Sequence, residues 1–380
     1  MLFKEKFVLL IAAVLLVLLS ACGKTASVLN SSIYHDLENG GIYIKQNIDD
    51  FTALGFNYGD SVEVTFSNGY KLDEIPFYNG FYAKVGEAML IGYPGEENIK
   101  VCICFGDDLW DVSKVKETDT VSIKKKKSGK YLKEQKALNL EYTEERNDYN
   151  SDEEYANFRN VKVGRIKEGI LYRGSSPIDN KISRAKYSDE LIEKAKIKYI
   201  VDLSDDKEEL KEHFASNDFE SDYFKSLYEN GKVGVYDVNM NYTSKEFAEQ
   251  MVKAMTDMAN NEGPYYIHCI EGKDRTGFFC VLIEGLAGAS YEEIVNDYMI
   301  TYKNFYGIDE KNERERYNVI KEHYLDTMLR FLANYGGNTG NEDIPLSGLE
   351  YTNIIGRYLN DNGMSIKEIG KWYDKVTDQN

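Results

Sequence analysis

Proline, cysteine and net positive charge are all in short supply in this chain. Its 380 residues include five prolines and five cysteines. The cysteines, at positions 22, 102, 104, 269 and 280, show no spacing of a disulfide framework. Cys102 and Cys104 stand two apart in an apolar segment, so on a strand they face the same side and are poorly placed to bond each other. No histidine or further cysteine lies near them in sequence to complete a metal site, and buried core thiols are the expected reading. Lys and Arg total 46 against 64 Asp and Glu, a formal net charge of -18. That balance argues against a general nucleic-acid binder, because phosphate backbones select basic surfaces. The apolar run at residues 8–19 is too short for a comfortable membrane span. No internal repeat is evident. What is present suffices for packed cores: 42% of residues are apolar and 13% aromatic, in a length that accommodates two domains and a leader.

The most informative segment is residues 268–277, His268-Cys269-Ile270-Glu271-Gly272-Lys273-Asp274-Arg275-Thr276-Gly277. An apolar stretch leads in (Tyr265, Tyr266, Ile267) and an apolar helical pattern leads out over residues 278–287, which predicts strand, tight loop, helix. Five residues between Cys269 and Arg275 let the backbone curl into a ring. The amides of Ile270, Glu271, Gly272, Lys273, Asp274, Arg275 and Thr276 could then point at one tetrahedral anion, with the positive end of the following helix facing the same point. A cysteine in such a setting favours the thiolate, which is a nucleophile. Arg275 is a planar, always charged fork suited to phosphate oxygens. Gly272 and Gly277 permit the turn and close backbone approach.

This HCxxGKDRTG loop resembles that of the cysteine-dependent protein tyrosine phosphatase superfamily, and more narrowly the bacterial tyrosine and dual-specificity members related to phosphoinositide phosphatases. The resemblance covers about residues 151–335. Asn157-Phe158-Arg159 resembles an Asn-Phe-Arg segment of that group. Tyr172-Arg173-Gly174 resembles its Tyr-Arg-Ser segment, with Gly174 in place of Ser. Residues 200–204 resemble Ile-Asp-Leu-Arg, with Ser204 in place of Arg. The resemblance implies an α/β domain with a central sheet flanked by helices. It implies Cys269 as nucleophile, Arg275 as transition-state clamp, His268 as a supporting residue that orients the loop and helps keep the cysteine ionised, and Thr276 as a hydrogen-bond donor to the sulfur. It implies no metal and no cofactor. Phosphotyrosine protein or peptide is the implied partner. Lys273, adding positive charge at the pocket, keeps a phosphoinositide or inositol phosphate substrate open, and a phospho-ligand-binding module without turnover is the reading from a different class. The general acid is less determined. Asp237, 32 positions before Cys269, and Asp274 stand level, with Asp202 third. Glu271 has no role in the mechanism and is expected as an outward-facing rim residue.

The rest of the chain divides as follows. Residues 1–22 read as a leader: Lys4 and Lys6, the apolar run, then Leu19-Ser20-Ala21-Cys22, which resembles the lipobox of bacterial lipoproteins. That implies a lipid on Cys22 and a location outside the cytoplasm, tethered to the outer face of a membrane. Residues 23–41 read as a tether. Residues 42–130 read as a small, mostly β accessory domain, with alternation at residues 61–66, further strands near 89–93 and 101–105, and a closing strand at 118–125. Asp73-Glu74 and Asp107-Asp108 are expected in solvated turns, and Lys124 to Lys127 on a solvated end. Residues 131–155, charged and poor in aliphatic side chains, read as a linker. Residues 156–380 read as the phosphatase-like α/β domain.

Overall fold

The computed structural model describes residues 25–335 and 344–378. The leader at residues 1–22 and the lipidation site Cys22 lie outside the described residues. Among those described, no helix is long and apolar enough to cross a membrane. The chain forms two compact units: residues 25–83 and 87–136 make the first, and the second begins at Ala137.

The first unit is a closed barrel of seven strands, β1 (Ser27–His35), β2 (Ile42–Asn47), β3 (Ser61–Phe66), β4 (Lys71–Tyr78), β5 (Ala88–Ile91), β6 (Asn98–Ile103) and β7 (Thr120–Lys127), ordered β1-β2-β6-β5-β4-β3-β7. β7 pairs antiparallel with both β1 and β3, which closes the barrel and leaves no open edge. Alternation decides the packing. Val62, Val64 and Phe66 of β3 join Val121 and Ile123 of β7 in the core. The tether reading of residues 23–41 is corrected here. Ser27–His35 is a barrel strand, but it buries only Val28 and Ile33 among polar neighbours, so its alternation is faint. Asp73 and Glu74 belong to β4 rather than a turn, and Glu74 has φ of 60° where the β3–β4 register shifts. Asp108 caps the helix Leu109–Ser113, accepts from the Gly41 amide at 2.7 Å and lies 2.6 Å from His35 Nε2. The lysine run finds local partners: Lys125 pairs with Asp60 at 3.0 Å, and Lys126 with Glu63 and Asp73 at 3.2 Å each. Cys102 and Cys104 are buried, and burial pushes the Cys102 thiol up to about 12.

The second unit is a five-stranded sheet with helices on both faces. Its strands are β8 (Arg159–Asn160), β9 (Leu171–Gly174), β10 (Tyr199–Asp202), β11 (Val233–Val235) and β12 (Tyr265–His268), in the order β11-β10-β12-β9-β8. All neighbours are parallel except β8 with β9. Along β12 the side chains alternate between faces. Tyr266 packs among Ile200, Leu191, Leu210 and Phe224, which brings helices α1 (Ala185–Lys194), α2 (Lys207–Ala215) and α3 (Asp222–Glu229) to one face. Tyr265 points the other way and donates to the carbonyls of Met258 and Asn261, at the end of α4 (Lys245–Asn260). α5 (Asp274–Leu286) follows the central strand and is buried along nearly its whole length, which explains its apolar run. α6 (Tyr291–Tyr306) opens with a capping box formed by Ser290 and Glu293.

The linker reading of residues 131–155 is also corrected. Residues 131–136 complete the barrel unit, starting with the Tyr131 amide on the Gly59 carbonyl at 2.8 Å. Residues 137–155 belong to the second unit. They pack through tyrosines rather than aliphatic residues: Tyr142, Tyr149 and Tyr155 place their rings 4.9, 5.4 and 4.4 Å from the guanidinium of the fully buried Arg184.

Candidate active site

Cys269 stands at the C-terminal end of the central strand β12, the edge of an open parallel sheet where ligands bind. Residues 269–273 connect β12 to α5. Their conformation is imposed from outside. The Ser176 amide donates to the Ile270 carbonyl at 2.9 Å. Asn157 Nδ2 donates to the carbonyls of Glu271 and Gly272 at 3.3 and 3.4 Å, and Arg173 Nη2 donates to Gly272 at 2.9 Å. A trans peptide points its N–H opposite to its C=O. Holding these three carbonyls on the outer side therefore turns the amides of Glu271, Gly272 and Lys273 to the inner side. Gly272 has φ of +68°, and a Cβ there would lie 2.1 Å from the Gly174 carbonyl oxygen, so only glycine fits. A Cβ on Gly174 would in turn meet the Tyr266 hydroxyl at 2.6 Å. That hydroxyl, bonded to the Ser175 carbonyl at 2.6 Å, fills the volume that a serine would take at position 174. The first turn of α5 has no side-chain cap, which leaves its leading amides available to an anion.

Beneath the loop lies a buried charge network. Asp297 of α6 accepts from Arg159 Nε at 2.9 Å and Arg173 Nη1 at 2.7 Å. Burial would raise the Asp297 carboxyl, but the two guanidiniums hold it well below the usual carboxylate range. Glu284, buried in α5, is pushed well above the usual carboxylate range by burial and by the adjacent Asp297. Two guanidiniums thus meet on the Asp297 carboxylate under the loop, and Arg173 reaches from there to the Gly272 carbonyl. Asn157 and the two arginines lie in the segments that the sequence resemblance singled out, but their role as braces of the loop was not legible there. Asp297 carried no sequence signal.

The predicted site residues fall as follows. Cys269 is buried at 3% exposure. Arg275, on the first turn of α5, is half-buried and donates to the Val238 carbonyl at 3.3 Å. Thr276 is fully buried and its hydroxyl has no hydrogen-bond partner among the described residues, so the expected bond to the Cys269 sulfur is not made here. His268 is fully buried with neither ring nitrogen bonded, and its Nε2 lies 3.9 Å from Asp202 Oδ1. Burial pushes its imidazole down to about 4. A ring held neutral in this way gives the sulfur no positive charge.

Of the three acid candidates, Asp202 is fully buried under the loop and far above the usual carboxylate range through burial and the adjacent Asp205. It is out of reach of a leaving group. Asp274, half-buried beside the loop, is raised by burial against the pull of Lys273. Asp237 is exposed, with φ of 43°, and immediately precedes the Val238 carbonyl that Arg275 holds. Asp237 is thus the chain neighbour of a residue that Arg275 holds, and Asp274 is the chain neighbour of Arg275 itself.

Lys273 does not stand free, contrary to the expectation that it charges the pocket. Its Nζ lies 2.5 Å from Glu271 Oε2 and 3.7 Å from Asp274 Oδ2, and donates to the Tyr306 hydroxyl at 3.1 Å. Among the described residues, two groups have metal-ligand geometry, Asp202 with Asp205 and His268, and Asp179 with Asp205 and His213, each within 4.8 Å. Both share Asp205, which His213 Nε2 already meets at 3.0 Å and Ser204 Oγ at 2.9 Å.

No curated protein matches this chain. Among solved structures, the chain is similar to an uncharacterized conserved protein from Thermotoga maritima at 19% identity and a TM-score of 0.22, over 24% of this chain and 35% of that one. The chain thus spans about a third of that protein's length, an overlap too slight to carry an argument. Residues 153–341 match the family model described as tyrosine phosphatase family, and this stretch holds the braced loop from Cys269 to Arg275.

Proposed function

We propose that the second unit hydrolyses phosphate monoesters of the phosphotyrosine type through a phosphocysteine intermediate. The observation that carries this reading is the outward tethering of the loop carbonyls, which turns the amides inward beside Cys269. The phosphate would sit in this ring, its charge matched by the amides and by Arg275. The Cys269 thiolate attacks phosphorus, the ester P–O bond breaks, and the leaving tyrosyl oxygen takes a proton from Asp237 or Asp274. Water, giving its proton back to that carboxylate, then attacks phosphorus, breaks the P–S bond and releases phosphate. No step calls for a metal.

The test is phosphate release with EDTA present, on a phosphotyrosine peptide, a phosphoserine peptide and a short-chain phosphoinositide, with Cys269→Ser as control. Turnover of the phosphotyrosine peptide that vanishes in the control supports the reading. A folded protein without turnover on any substrate would favour the phospho-ligand-binding module. The acid is identified by comparing Asp237→Asn with Asp274→Asn. Loss of the acid slows phenyl phosphate far more than p-nitrophenyl phosphate, whose leaving group needs no proton.

We also propose that the protein is lipid-anchored on the outer face of a bacterial membrane through Cys22. The support is the sequence of the leader alone. Metabolic labelling with a fatty acid, lost in Cys22→Ala, tests it.

A further inference from the structure

Glu271 is a loop side chain that the proposed chemistry does not use. Besides its 2.5 Å contact to Lys273, it accepts from the Tyr142 hydroxyl at 3.3 Å. Tyr142 is itself fixed, with its ring 5.1 Å from Phe305 and 5.8 Å from Tyr306. Lys273 lies over the Tyr306 ring at 5.6 Å. The side chains of Glu271 and Lys273 are 22% and 16% exposed, so the pair is largely withdrawn from water, where charges interact more strongly than on an open surface. Burial pushes the Glu271 carboxyl up, but Lys273 and the Tyr142 hydroxyl outweigh it and hold it below the usual range. The rim therefore presents one ammonium already paired with the Glu271 carboxylate, with Asp274 Oδ2 3.7 Å away. Tyr142 lies outside the residues matched by the family model, 153–341. The brace on Glu271 thus comes from this chain's own preceding segment.

We infer that Glu271 is a specificity-determining residue: by holding Lys273, it restricts the site to singly phosphorylated substrates. The inference rests on the phosphatase reading above. A single phosphate in the loop is matched by the amides and Arg275. A second phosphate at the rim meets the Glu271 charge, and it can recruit Lys273 only by leaving that half-buried carboxylate without its partner. Rejection by an unpaired or like charge is an efficient way to discriminate.

The test compares kcat/KM for a phosphotyrosine peptide and for a short-chain phosphatidylinositol bisphosphate, in the unaltered protein and in Glu271→Gln. Glutamine keeps the size of the side chain and its reach to Tyr142 but removes the charge. The ratio of bisphosphate to phosphotyrosine kcat/KM is expected to rise about tenfold in Glu271→Gln. It should return to the original value in the double variant Glu271→Gln/Lys273→Met. An unchanged ratio, or a rise that survives loss of Lys273, overturns the inference. Binding of the inositol bisphosphate headgroup to Cys269→Ser forms of the same proteins reads the preference without turnover. Equal affinity with and without the Glu271 charge overturns it there too. Absence of Cys269-dependent turnover by the unaltered protein on either substrate overturns instead the phosphatase reading, and the inference with it.

Discussion

His268 precedes the nucleophile, is fully buried and has neither ring nitrogen bonded, so protonating it in the folded protein means placing a charge in a dry site. Its pKa falls from 6.5 to about 4. Between those values the unfolded chain binds a proton that the folded chain does not, so stability contributed by this group is full above about pH 6.5 and declines as pH falls toward 4. The shift corresponds to ~3 kcal/mol across that window. His213 opposes it. The hydrogen bond with Asp205 raises its pKa, so its contribution is full below pH 6.5 and is lost as pH rises through the raised value. Urea unfolding at pH 7 and pH 5 of the His213→Gln protein with and without His268→Asn gives the His268 effect by difference. Lower stability at pH 5 is expected, with an imidazole NMR titration near pH 4; a His268 that titrates near 6.5 would contradict the account. Most residues of the loop itself were legible in the sequence, because nucleophile, glycine and arginine stand within ten positions and their chemistry depends on that spacing. The engagement of Lys273 was not, because its pairing with Glu271 is held in place by Tyr306 and Tyr142, which no local pattern connects to the loop.

Among the elements, α6 and β9 do as much for the loop as the strand and helix that flank it. Asp297 of α6 bridges Arg159 and Arg173, and Arg173 carries the bond to Gly272. Removing the carboxylate leaves two buried guanidiniums against one another. Asp297→Ala is therefore expected to cost about 3–5 kcal/mol, read as a drop in Tm, and to loosen the loop so that phosphotyrosine turnover falls even at temperatures where the protein stays folded. A neutral effect on Tm would contradict the brace. These partners are 99 and 124 positions apart in sequence, which is why periodicity could predict the strands and helices but not what they hold. The stretch that opens α2 is acidic, with little apolar periodicity, yet Asp206 and Glu209 in it form a capping box. β1 was missed because a barrel strand needs only two buried residues to close the ladder, and residues 27–35 offer just Val28 and Ile33.

For the whole molecule, the barrel is closed and carries its own core, and the second unit begins ahead of the family-matched stretch. The residues between, 137–152, supply Tyr142 and Tyr149 to the cage around Arg184, and the Thr143 carbonyl accepts from that guanidinium at 3.1 Å. A chain starting at residue 137 should therefore melt several degrees higher than one starting at residue 153, which exposes Arg184 and unfastens Glu271; equal melting temperatures would make the segment a mere connector. The net charge of -18 does not oppose anion binding, because the charge that matters is local: Arg275 beside one ring of amides. The most direct test of that claim is acid quenching of the purified protein during turnover of a ³²P-labelled phosphotyrosine peptide with EDTA present, followed by mapping of the label. Label on the peptide containing Cys269, absent from Cys269→Ser, is the predicted result. Turnover without a labelled cysteine, or turnover that survives Cys269→Ser, would contradict it.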